Sequence, residues 1–174
     1  MITKADTKTV RPAKLLPSRI DLPEEARRHL VEVLNGRLAL AIDLALQAKQ
    51  AHWNVKGPSF AGLHETFDKV ADEAHEFVDL IAERAVQLGG VAEGTVQTVA
   101  GRTSLSVYPG DIFEGRAHVN ALASALAEFG KHVRAAITET GDLGDEDTSD
   151  IFTQVSRATD KLLWMVEAHG HTER

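Results

Sequence analysis

From Ser59 to Leu88 the apolar residues Leu63, Phe67, Val70, Ala71, Ala74, Phe77, Val78, Ile81 and Ala85 recur at helical spacing with no proline or glycine after Gly62. Ser59 is a plausible N-cap and Gly89-Gly90 a plausible stop. A helix of about 30 residues is ~45 Å long at about 1.5 Å per residue. With one apolar face along that length, it needs helical partners of similar reach.

The polar side of the same helix is unusual. His64, Asp68, Asp72, His75, Asp79 and Glu83 fall within an arc of about 100°, adjoining the apolar arc. Carboxylates and imidazoles at such a boundary are costly unless something pairs with them. Mixed Asp/Glu/His ligands suit hard-to-borderline metals such as iron.

The rest of the chain supplies the partners. Pro23-Glu24-Glu25 reads as a helix start. Leu30, Leu34, Leu38, Ala41, Ala45, Ala48 and His52 follow at helical spacing until Gly57-Pro58 stops them. Residues 89–109 are too many for a structureless loop inside a compact domain. They read as a crossover carrying a short helical turn and running the length of a bundle. Asp111 is expected to cap a third long helix reaching about Glu139, Gly141–Asp147 to turn the chain, and Thr148 to His169 to form a fourth. No strand-type alternation, internal repeat or low-complexity block interrupts this pattern. The fold class is all-α: a four-helix bundle with one long crossover between the second and third long helices. Residues 1–20 form a basic N-terminal tail and 21–174 the bundle domain.

Composition narrows the chemistry. The chain has no cysteine, which excludes disulfides, thiolate metal sites and cysteine nucleophiles. No apolar stretch approaches the ~20 residues of a membrane span, and Met1–Pro17 has no signal-peptide pattern. The expectation is a cytoplasmic protein with no membrane partner. Net charge is −7 and uneven. Residues 1–20 set Lys4, Lys8, Arg11, Lys14 and Arg19 against Asp6 alone, a net +4, and residues 21–174 hold 14 basic and 25 acidic residues, a net −11. A basic tail suits an anionic partner, while the acidic body attracts cations.

Two ligand pairs stand out, His64-x3-Asp68 and Asp79-x3-Glu83, each on one helical face. His52 lies just before the break between the first two helices. One straight helix cannot bring both pairs to one ion, because even Asp68 and Asp79 are about 16 Å apart along the axis. Metal–ligand bonds span only ~2.0–2.6 Å. A two-fold dimer in which the helix crosses its mate antiparallel near residues 73 and 74 would close two equivalent sites. Spacing alone leaves an interhelical salt-bridge seam as the competing reading, with Lys69 and Arg84 available for i,i+4 pairs. The chain contains no Glu-x-x-His and no His-Glu-x-x-His, which disfavours a zinc hydrolase.

The segment Lys49-Gln50-Ala51-His52-Trp53-Asn54-Val55-Lys56-Gly57-Pro58, continuing to Phe60, His64 and Asp68, resembles the first signature of the Dps-type mini-ferritins, the DNA-binding proteins from starved cells. Asp79-Leu80-Ile81-Ala82-Glu83-Arg84 with Leu88-Gly89-Gly90 resembles the second. Ser156-Arg157, Asp160-Lys161 and Leu163-Trp164 resemble that family's last helix. The resemblance implies a hollow homododecamer of four-helix subunits that oxidises Fe(II), preferably with hydrogen peroxide, stores Fe(III) mineral and protects DNA under stress. It implies a mono- or di-iron ferroxidase centre shared at two-fold interfaces, with His52, His64 and Asp68 from one subunit and Asp79 and Glu83 from its mate. Trp53 matches the aromatic beside that centre; taking up oxidising equivalents and merely walling the site both remain open. The acidic cluster Asp142, Asp145, Glu146, Asp147 and Asp150 matches the region of a three-fold channel that admits iron. A solvated helix N-terminus explains the same acids equally well. The five tail cations would bind DNA phosphates without reading bases, and associate the shell with the nucleoid. The alternative is an iron-storage mini-ferritin with no DNA partner. A shell that only compacts DNA is disfavoured by the intact ligand set.

Overall fold

The computed structural model describes residues 15–170. Its elements are α1 (Glu24–Asn54), α2 (Phe60–Gln87), the short α3 (Val96–Arg102), α4 (Gly115–Asp142) and α5 (Glu146–Ala168). Helix α1 packs chiefly on α2 and α4 on α5, while α1–α4 and α2–α5 contacts join the two pairs. Two links fix the direction of each helix. Lys56 N donates to Phe113 O at 2.9 Å, so α4 starts at the end where α2 starts. Arg84 pairs with Asp145 at 2.7 Å, so α2 ends where α5 begins. The segment between α2 and α4 therefore returns along the whole bundle, with α3 laid against α1. This is the expected four-helix bundle with a helical turn in its long crossover.

The apolar faces close on one core. Leu30, Leu34, Leu38, Ala41, Ala45 and Ala48 of α1 are buried, as are Leu63, Phe67, Val70, Ala71, Ala74, Phe77, Ile81 and Ala85 of α2. Val78, expected among them, is half-buried at the edge. Phe77 stacks on Phe129 across the bundle with ring centroids 6.1 Å apart. At the foot of α2, Gly89 adopts φ +89° and receives Leu16 N on its carbonyl at 2.8 Å. A side chain on Gly89 would collide with the Leu16 backbone, so glycine is required there on both counts.

Three terminal assignments are corrected. Ser59 precedes α2, but its side chain makes no capping bond. Gly57 O accepts from Phe60 N at 3.0 Å and Ser59 O from Leu63 N at 3.1 Å, so a backbone turn does the capping. Asp111 does not cap the third long helix, which starts after Glu114. The bond from Lys56 to Phe113 and the bridge between Lys56 and Glu114 hold residues 112–114 extended and delay the helix. The last helix begins at Glu146 instead of Thr148, because Asp145 caps it by accepting from Thr148 N at 3.1 Å.

The described residues also reach into the expected tail. Leu15 is buried, and Leu16 is pinned to Gly89 as above. Lys4, Lys8, Arg11 and Lys14 lie outside the described residues, whereas Arg19 lies within them and is exposed.

Candidate metal centre

A short turn joins the antiparallel α1 and α2, which sets His52 on the last turn of α1 against His64 on the first half of α2. Their rings stack with centroids 3.7 Å apart and planes 21° apart. His52 Nδ1 lies 2.8 Å from His64 O, and His64 Nδ1 lies 2.8 Å from His52 O. A carbonyl oxygen only accepts, so each Nδ1 carries the proton and donates. In a neutral imidazole this leaves the lone pair on Nε2. The two rings are thus oriented by backbone, in the tautomer that a metal ligand needs. Phe60 stacks on the His64 ring at 4.9 Å and fixes its plane.

Asp68, one turn after His64, completes this wall. Its Oδ1 accepts a short hydrogen bond from Lys49 Nζ and lies 3.7 Å from His52 Nδ1. The Lys49 hydrogen bond holds the Asp68 carboxyl below its usual range, against partial desolvation and with smaller help from the neighbouring positive charges. A carboxylate with a depressed pKa contributes stability above its ordinary titration range and loses that contribution as pH falls through the depressed value. Asp68 is therefore ionised throughout and above its ordinary titration range, which is the state that binds a cation. In the sequence, Lys49 is legible only as part of a motif. Its role depends on the α1–α2 register, which no local window contains.

Asp79 and Glu83 are exposed further along α2, with no hydrogen bond or ion pair among the described residues. They do not join His52, His64 and Asp68 within one chain. Among the described residues of a single chain, no three His, Cys, Asp or Glu side chains are grouped to hold a metal ion. Trp53, next to His52, is 67% exposed. Asp72 and His75 are also exposed.

The acidic cluster divides. Asp142, Glu146, Asp147 and Asp150 are exposed, whereas Asp145 is buried. The Asp145 carboxylate is committed to Arg84 and to both the backbone and hydroxyl of Thr148. It is a structural cap and not a channel acid. Arg84, in turn, spans α2 and α5 instead of forming a surface pair along its own helix.

Comparison with known proteins agrees with this fold. Residues 31–174 match the family model for the ferritin-like domain. A DNA protection during starvation protein of Agrobacterium fabrum is 46% identical over 149 residues, covering 86% of this chain and 92% of that protein. DpsC from Streptomyces coelicolor superposes with a TM-score of 0.89 at 28% identity, covering 96% of this chain and 98% of that one. A Dps from Microbacterium arborescens, solved in its high iron form, gives 0.79 at 29% identity over 88% and 98% of the two chains. No helix among the described residues is long and apolar enough to cross a membrane. A long crossover bearing a short helix, a histidine pair at the α1–α2 turn and these likenesses together place the chain in the ferritin-like domain family, as a protein of the Dps type.

Proposed function

We propose that this protein oxidises Fe(II) at centres shared between two copies, prefers hydrogen peroxide as oxidant, and stores the Fe(III) inside a hollow homododecamer. The observation that carries this reading is the half-site: two imidazoles locked with Nε2 free and one ionised carboxylate beside them, with no further ligand in reach among the described residues of the same chain. The complementary carboxylates, Asp79 and Glu83, stand exposed and without ion partners on the same helix. An antiparallel crossing of two α2 helices brings each half-site to its complement. Exposed Leu46, Trp53, Phe60, Val86 and Val96 offer apolar surface for burial between copies.

Fe(II) is the substrate. His52 and His64 contribute borderline nitrogen ligands, and Asp68 with the mate's carboxylates contributes hard anionic oxygens. Anionic oxygen ligands stabilise the ferric state more than the ferrous, so binding itself favours oxidation. Five ligands or fewer leave coordination positions for water and peroxide. Lys49 keeps Asp68 charged and oriented until iron arrives and competes for the same oxygen. The exposed acids Asp142, Glu146, Asp147 and Asp150 would gather Fe(II) near a channel. Under aerobic conditions Fe(II) oxidation is expected to accelerate sharply on adding peroxide, followed by ferric absorbance. Equal rates with air alone would remove the peroxide preference.

The basic tail adds non-specific DNA binding, which accords with the name of the Agrobacterium relative and with a nucleoid-associated, cytoplasmic role in stress. Deleting residues 1–14 removes four of the five tail cations and spares the Leu15–Leu16 anchor. The intact shell is expected to retard plasmid DNA on a gel, with affinity falling steeply as salt rises. The truncated shell is expected not to. Retention of the shift after truncation would move DNA binding off the tail, and no shift by either form would leave storage without a DNA partner.

A further inference from the structure

The chain has a single tyrosine, Tyr108, in the crossover between α3 and α4. Its hydroxyl lies 2.7 Å from Nδ1 of His118, and the two ring planes are 21° apart. His118 is 1% exposed, and its Nε2 is buried with no hydrogen-bond partner among the described residues. An unpaired buried nitrogen on an α4 helix that could carry a leucine there calls for a reason beyond packing.

Burial favours the uncharged form of both side chains. It raises the Tyr108 phenol above its usual range and lowers the His118 imidazole, the Ile112 backbone opposing it at His118. The phenol therefore keeps its proton and the imidazole keeps a lone pair. A phenol is the stronger hydrogen-bond acid, and one that donates to Nδ1 leaves the imidazole proton on Nε2. A tyrosine cannot lose an electron readily unless its proton leaves too. This pairing supplies the acceptor at hydrogen-bond distance.

The pair is not remote from the half-site. The His118 ring centroid lies 6.3 Å from that of Phe67, a fully buried residue. Phe67 is three residues after His64 and adjacent to Asp68 on α2. The pair therefore packs against the segment of α2 that carries His64 and Asp68.

Resting on the ferroxidase reading above, we propose that Tyr108 supplies one electron when peroxide meets a centre holding a single Fe(II), and that His118 takes the phenol proton. Peroxide needs two electrons for complete reduction, and one Fe(II) gives one. With the second from Tyr108 the O–O bond breaks and, with two protons from solvent, yields two water molecules. Iron ends as Fe(III), Tyr108 as a neutral phenoxyl radical and His118 as an imidazolium. A one-electron reduction would instead release hydroxyl radical. Tyr108 is the electron donor, and His118 is a positioning residue that acts through it.

The test uses the full-length assembled protein loaded with Fe(II) below one ion per site, mixed with peroxide and freeze-quenched. Electron paramagnetic resonance follows the radical, and ferric absorbance in the same samples follows iron. A radical signal that narrows with ring-deuterated tyrosine is expected. It should vanish in Tyr108→Phe. In His118→Gln, which keeps an acceptor but not a base, it should fall several-fold and lose its solvent-deuterium dependence. Ferric iron formed with no tyrosine-sensitive signal, or with a signal sensitive only to deuterated tryptophan, overturns the proposal and leaves the ferroxidase reading standing. No ferric iron in the wild-type protein overturns both.

Discussion

Alanine at both His52 and His64 is expected to slow Fe(II) oxidation by about 100-fold or more, because loss even of an outer-shell partner of a metal ligand costs about 10–100-fold. The two changes also remove each other's support, since each ring is held by the other residue's carbonyl and by the shared stack. The fold should survive, because both side chains lie at the edge of the core and not in it. A double variant with wild-type oxidation would remove this pair from the chemistry. Sharing between chains has its own signature. His64→Ala and Glu83→Ala shells are each expected to oxidise Fe(II) far more slowly than wild type. In a heterodimer of the two, one site carries both lesions and the other carries neither. Random co-assembly makes half of the dimers mixed, so about one quarter of the wild-type sites should reappear. Co-refolding the two variants and measuring oxidation against each alone checks this. No recovery in confirmed mixed shells would exclude a site built from two chains.

The second large effect concerns stability. Arg84 and Asp145 are both nearly fully buried. The Arg84 guanidinium bonds Asp145 at 2.7 Å, Thr148 Oγ1 at 2.9 Å and Gln87 at 3.3 Å. Whatever such a pair contributes net, removing one partner strands the other charge in a dry site. Arg84→Met is therefore expected to destabilise the fold by about 3–5 kcal/mol. Adding Asp145→Asn should restore most of the loss, because asparagine caps a helix as well as aspartate does and leaves no lone charge. Urea unfolding of the three proteins reads both effects. A single variant within about 0.5 kcal/mol of wild type, the range of an ordinary surface change, would show that the pair is solvated in solution.

The fold is legible in this sequence where the information is periodic, and hidden where one element meets another. Helix count, the core face of α2 and half of the buried apolar positions of α1 follow from apolar residues repeating every three or four places, and the crossover helix follows from the length of segment 89–109. Asp111 looks like a cap, but a hydrogen bond from Lys56 of a different element draws the backbone straight past it. Ser59 has the right side chain for a cap, yet the tight Gly57 turn leaves it no role. Asp145 reads as one acid among five, and only Arg84, from α2 far upstream, makes it different. The candidate site follows the same division. The helix pitch shows that His64–Asp68 and Asp79–Glu83 cannot meet within a chain. The stacked histidines, the Lys49 contact and the His118–Tyr108 bond depend on inter-helix register, which local spacing does not encode.

The short separation of His52 and His64 along the chain has a consequence in time. Closing a loop of about ten residues takes roughly 10–100 ns, so the nitrogen half of the centre can form as soon as the first hairpin does. Asp68 joins it from the same hairpin, and on the shared-site reading only Asp79 and Glu83 must come from a second molecule. On the shared-site reading, a newly made subunit is redox-silent by construction. Iron chemistry then begins at the same encounter that starts to enclose its product.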